Sequence, residues 1–136
     1  MFPQPAYVVR KLYNFPPQGN AVMDEETSLT ELKDLIESFV LERDWAQFHS
    51  PKNLSMAIAV EAAELMDLFK WQSDSIAGQI IQDPLTRQAA IEELADVLIY
   101  ALALANRAEI DVATAIRHKV EKNRRKYPAA RFKGRF

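Results

Sequence analysis

From Pro84 to Pro128 the sequence runs without a single glycine or intervening proline. A stretch that long, free of the two residues that most strongly punctuate backbone structure, leaves helix as the dominant option. One long helix is predicted over about Thr86 to Arg107, and Asp111 can cap a last one ending near Tyr127. Upstream, Ser28 followed by Glu31 forms a capping box, and Leu29, Leu32, Ile36, Phe39 and Val40 then recur at helical spacing. That helix is expected to reach about Arg43. Ser50 and Pro51 supply a cap and a first helical position for a second helix running to about Trp71. The segment "QSDSIAGQIIQDP" breaks the pattern and has room for one short helical turn. Four amphipathic helices with short connections predict an all-α fold, an antiparallel four-helix bundle.

Four of the seven prolines fall in the first seventeen residues, so residues 1–27 read as an extended N-terminal arm. Its apolar and aromatic side chains (Phe2, Tyr7, Val8, Val9, Tyr13, Phe15) suit an arm laid on a protein surface, with "AYVV" as a short extended piece. Residues 28–128 form the helical domain, and 129–136 a basic tail. At 136 residues the chain is one domain's worth, large enough for a helical core. A net charge of -2 gives no global basic field for nucleic acid. The tail "RRKYPAARFKGRF" has basic groups but no aromatic sheet or groove, so no stable nucleic-acid binding is expected. No apolar run is long enough and free enough of charge to span a bilayer, and nothing near the N-terminus reads as a secretion signal. With no cysteine to form disulfides or supply a thiolate, a cytoplasmic location is the expectation.

The informative feature is acidic. Glu61 and Glu64 lie on a helical face with Leu54, Ala57, Leu65 and Leu68. Glu93 and Asp96 share theirs with Ala89, Val97, Tyr100 and Leu104. Both pairs therefore sit inside apolar stripes, and residues three apart are helix neighbours. If the stripes face each other, four carboxylates converge. Two unit charges about 5 Å apart repel by roughly 3 kcal/mol at an effective dielectric of about 20. Protonation, basic partners such as Lys119 and Arg124, or metal must relieve that repulsion. An all-oxygen, hard ligand set favours Mg²⁺ or Mn²⁺. A di-iron carboxylate bundle needs a Glu-x-x-His on each of two helices. Neither His49 nor His118 follows a glutamate by three, so that design does not fit.

"EAAE" followed by "EELAD" resembles the ExxE…ExxD signature of the MazG-like all-α nucleoside triphosphate pyrophosphohydrolases. The stretches "ERDWAQFHSPKNL", "LFKWQSD", "ELADVLIYALALA" and "KNRRKYP" resemble the dCTP pyrophosphatase branch, and the similarity covers about Leu29 to Pro128. The resemblance implies metal-dependent hydrolysis of a deoxynucleoside triphosphate, dCTP or a modified dCTP, to the monophosphate and pyrophosphate. The same chemistry on dUTP or dATP, or a helical module that binds nucleotide without turnover, are the alternatives. By resemblance the metal ligands fall on Glu61, Glu64, Glu93 and Asp96, with Glu61 or Glu64 orienting the attacking water or taking its proton. The sequence has no GxxxxGK[ST] loop to cradle phosphates.

The matching tryptophans of the family line a base pocket, which assigns Trp45 and Trp71 to the base, with His49 beside them. Tyr100 follows Asp96 by one turn, so its hydroxyl is directed to the acidic face and toward base or sugar. Lys119, Asn123 and Arg124 are assigned by resemblance to the triphosphate. Family members are dimers or tetramers, and tryptophans at helix ends suit a pocket closed by a second chain. A homo-oligomer is expected, a tetramer built from dimers.

Overall fold

A computed structural model describes residues 23–135. The predicted arm lies almost wholly outside them, as does its extended piece "AYVV". Every regular element among the described residues is helical: α1 (Leu29–Glu42), a 3₁₀ turn (Trp45–Phe48), α2 (Pro51–Asp67), α3 (Asp74–Ile80), α4 (Pro84–Arg107), α5 (Val112–Lys126) and the short α6 (Ala129–Phe132).

Each long helix begins where a side chain can satisfy the free backbone N–H groups of its first turn. At α1 the Glu31 amide donates to Ser28 Oγ (3.2 Å), and the Ser28 amide donates back to Glu31 Oε2 (2.7 Å). Ser50 Oγ accepts from the Asn53 amide (3.1 Å) at α2. Asp83 accepts from the Thr86 amide (2.9 Å) at α4, and Asp111 from the Thr114 amide (2.7 Å) at α5. These bonds hold the Asp83 and Asp111 carboxyls below their ordinary values, because they favour the charged acceptor. Pro51 and Pro84 occupy first-turn positions, where a missing N–H costs nothing.

The second helix is shorter than its pattern predicts. It stops at Asp67, and the amides of Phe69 and Lys70 both turn back to the Met66 carbonyl (3.0 and 2.9 Å). Trp71 therefore sits in the turn after α2, not in its last residues. The apolar spacing continues through Leu68 and Phe69, but the backbone has already left the helix there, and Ser73 then begins α3. The 3₁₀ turn and α6 are further elements that spacing did not reveal, since four residues are too few for a period to register.

The most extensive packing is between α2 and α4. They run antiparallel: Arg107 at the end of α4 donates to the carbonyl of His49, just before α2 (3.2 Å). Leu54 is buried on α2, and Ala90, Leu102, Ala103 and Ala105 are buried on α4. Small side chains let helix axes approach closely. α1 joins this pair through buried Val40 and through the Asn106 amide group, which donates to the Lys33 carbonyl (2.9 Å). The fourth long helix, α5, makes only slight contact with the other three.

The α4–α5 connection explains how α5 departs. The Ile110 amide donates to the Ala105 carbonyl (2.9 Å) and the Glu109 amide to Asn106 (3.3 Å), the paired bonds of a Schellman end. Glu109 occupies its left-handed position with φ 53°, where glycine is usual. Glu109→Gly is expected to stabilise the protein by about 0.5–1 kcal/mol, read from the urea midpoint at unchanged slope.

Candidate functional site

The acidic pairs meet where α2 and α4 pack. One carboxylate oxygen each from Glu61, Glu64 and Glu93 lies within 4.8 Å of the others. Glu61 and Glu93 are half-buried and Glu64 is exposed. Asp96 is half-buried one turn beyond Glu93. It is outside the group of three, yet its charge reaches both Glu61 and Glu93. Among the described residues, none of the four has a basic ion-pair partner. The ion pairs lie elsewhere, at Glu42, Asp67 and Glu121.

Glu61 is pushed above its ordinary value, first by desolvation and then by Glu64, Asp96 and Glu93. Glu93 is raised by desolvation and then by Glu64, Asp96 and Glu92. Apolar neighbours and like charge act in the same direction here, both opposing the ionised form.

The cluster suits a hard divalent ion. Two oxygens each about 2.1 Å from one Mg²⁺ can stand no more than about 4.2 Å apart. A 4.8 Å separation therefore needs only a small contraction to share an ion. The donors are all carboxylate oxygen, the chemistry Mg²⁺ and Mn²⁺ prefer.

The other predicted residues are placed less completely. Tyr100 is half-buried on α4, one turn after Asp96. Trp45 lies in the 3₁₀ turn, 45% exposed, its ring edge-on to Phe39 at 5.8 Å between centroids. His49 follows that turn half-buried, with Nδ1 buried and unpaired. Trp71 is 85% exposed, with the Lys70 ammonium 5.5 Å from its ring centroid. Lys119, Asn123 and Arg124 ride on α5, which barely touches the helices that carry the acids. No hydrogen bond or ion pair links them to the cluster, and Arg124 instead pairs with Glu121 (3.7 Å). Within one chain the acids converge, while the α5 cations stay apart. Two residues that no spacing singled out also shape the region. Arg107 ties the His49 carbonyl to α4, and Asp44 adopts φ 54° ahead of the 3₁₀ turn. Neither lies on an apolar period, so neither leaves a periodic trace.

Fold and site together define an all-α protein with an acidic seam between two antiparallel helices, suited to a divalent cation. The chain belongs to the MazG-like family, which it matches over residues 56–135. It is 43% identical to human dCTP pyrophosphatase 1 over 111 residues, 82% of this chain and 65% of that protein. It is 45% identical to mouse dCTP pyrophosphatase 1 over 103 residues, 76% of this chain and 61% of that one. The chain thus spans less than two thirds of the length of these curated relatives. A crystal structure of a pyrophosphatase from Archaeoglobus fulgidus superposes with a TM-score of 0.69 at 40% identity, covering 74% of this chain and 92% of that one. No helix among the described residues is long and apolar enough to cross a membrane.

A carboxyl raised in the fold contributes stability below its unfolded value and loses that contribution as pH rises through the folded one. At neutral pH, Glu61 and Glu93 therefore oppose folding of the metal-free protein. Glu61→Gln is expected to raise its Tm at pH 7 and to leave it nearly unchanged at pH 4, measured by scanning calorimetry in chelator.

Proposed function

We propose that the protein hydrolyses a deoxynucleoside triphosphate, preferring dCTP or a modified dCTP, to the monophosphate and pyrophosphate. The observation that carries this reading is the uncompensated convergence of Glu61, Glu64 and Glu93 between α2 and α4. The similarity to proteins named dCTP pyrophosphatase 1 supports the choice of substrate.

Glu61, Glu64, Glu93 and Asp96 hold Mg²⁺, with Mn²⁺ as a substitute. Bound there, the cation supplies charge neutralisation of the phosphate chain and Lewis acidity toward the phosphorus under attack. Glu61 or Glu64 orients the water or accepts its proton. Trp45 and Trp71 stack on the base, and His49 and Tyr100 contact base or sugar. Lys119, Asn123 and Arg124 offset phosphate charge. Residues 28–128 form the catalytic unit, working in the cytoplasm on the nucleotide pool.

These last three residues stand off from the cluster in one chain, and large apolar side chains are uncovered on every long helix. Val60 on α2 and Leu98 on α4 are both 53% exposed, and Ile116 on α5 is 54% exposed. Patches of that kind mark contact surfaces. The working form is a homotetramer, a dimer of dimers. Light scattering on the eluting protein is expected to give four times the 15.5 kDa chain mass, and a fully active monomer overturns this part of the reading.

The decisive experiment incubates a panel of nucleoside triphosphates with Mg²⁺ and resolves the products. Monophosphate plus pyrophosphate from dCTP, falling at least about 100-fold in Glu61→Ala, is the expected result. Release of orthophosphate defeats the mechanism, and nucleotide binding without turnover indicates a non-catalytic module. Preference for dUTP or dATP moves the base assignment and leaves the chemistry standing. Because protons and cation compete for the same carboxylates, Mg²⁺ is expected to raise Tm more at pH 7 than at pH 5. Glu61→Gln should lose most of that shift.

A further inference from the structure

Trp45 sits on a four-residue 3₁₀ turn with no buried residue of its own, so the hydrophobic core does not hold its ring. Local contacts hold it instead. The chain reverses at Asp44, whose φ of 54° brings Trp45 back over the last turns of α1. The Gln47 side-chain amide donates to the Asp44 carbonyl and carboxylate, both at 2.9 Å, and closes that reversal. The Trp45 ring then meets Phe39 nearly at right angles, at 77°. Phe39 is itself 47% exposed, so the core does not fix it either. What covers it is Arg43, whose guanidinium carbon lies 3.7 Å from the ring centroid. Arg43 Nη1 is anchored by donating to the Phe39 carbonyl (3.0 Å) and to Glu42 (3.2 Å).

The order of dependence is therefore Arg43 on Phe39, then Phe39 on Trp45. We propose that Arg43 is a positioning residue for the nucleobase-stacking ring of Trp45, acting through Phe39. The inference rests on the assignment of Trp45 to the base. A planar guanidinium can lie flat on an aromatic face while its N–H groups still reach a carbonyl and a carboxylate. An ammonium lacks that flat face, so lysine is a poor substitute. Trp71 has the Lys70 ammonium 5.5 Å from its ring centroid and, among the described residues, no aromatic ring stacked against it. The Trp45 side of the base site is thus ordered before nucleotide arrives, which lowers the entropy cost of binding. The acids are not part of this stack, so turnover of bound substrate does not depend on it.

The test uses the full chain with Mg²⁺ and dCTP. Arg43→Gln and Phe39→Leu are each expected to raise KM about threefold to tenfold with kcat within about twofold of wild type. Arg43→Lys should recover little of the loss. A second readout needs no turnover. In a Trp71→Phe background the emission reports Trp45 alone, and Arg43→Gln is expected to increase its quenching by acrylamide. Unchanged KM and quenching in Arg43→Gln, when Trp45→Ala does raise KM, overturns the positioning role and leaves the base assignment intact. Trp45→Ala with an unchanged KM overturns the base assignment, and the proposal with it. A fall in kcat alone assigns Arg43 to the chemistry and also overturns the proposal.

Discussion

Close packing of α2 against α4 sets the distance between the carboxylates, and the other properties of the site follow from that distance. Leu54 is buried on α2, and the buried side chains of α4 are mostly small (Ala90, Ala103 and Ala105, with Leu102), which suits close helix packing along that seam. Larger residues along that seam would push the helices apart and relax the repulsion among Glu61, Glu64 and Glu93. The same change would dissolve the oxygen cage. Stability of the empty protein and affinity for a cation therefore pull in opposite directions at one contact. The sequence puts the acids on the apolar side of both helices and so sides with the cation.

A second division of labour separates the acids from the aromatic and basic groups. The acids sit on long helices whose axes are fixed by buried contacts. Trp45 and Trp71 sit on turns, where exposed faces are left for something else to cover. Lys119, Asn123 and Arg124 sit on a helix with little packing against the other described residues. On the proposed reading, helix packing fixes the charge-handling centre, the local stack on Phe39 orders Trp45, and Trp71 and the α5 cations are completed by assembly and by substrate.

Much of this was legible in the residues. Caps at Ser28, Ser50 and Asp111 marked helix starts because a hydroxyl or carboxylate must meet the free amides there. The faces holding Glu61 and Glu93 followed from 3.6-residue periodicity, while their convergence depended on the two stripes facing each other, which periodicity alone does not fix. The end of α2 was not legible, since Leu68 and Phe69 continue its apolar rhythm after the backbone has turned. Asp44 and Glu109 were invisible for a different reason. Positive φ at an acidic residue is a property of the backbone path, and no local composition announces it. Nor does a sequence reveal that Asp96 stands just outside a group its neighbour joins. That difference is one of side-chain reach, below the resolution of helical spacing.

The Schellman end carrying Glu109 has one more implication. With little packing against the other described helices, α5 takes its heading from the two Schellman bonds, the left-handed Glu109 and the Lys33 ammonium, which donates to the Ile110 carbonyl (3.1 Å). Its aim is thus written into the hinge itself. On the proposed tetramer, a solitary polypeptide already offers this helix at a set angle, like a peg cut before its socket is met, and joining subunits would need only to translate and rotate as rigid pieces. Loosening that corner would leave each chain folded while making the assembly search through many misaligned encounters.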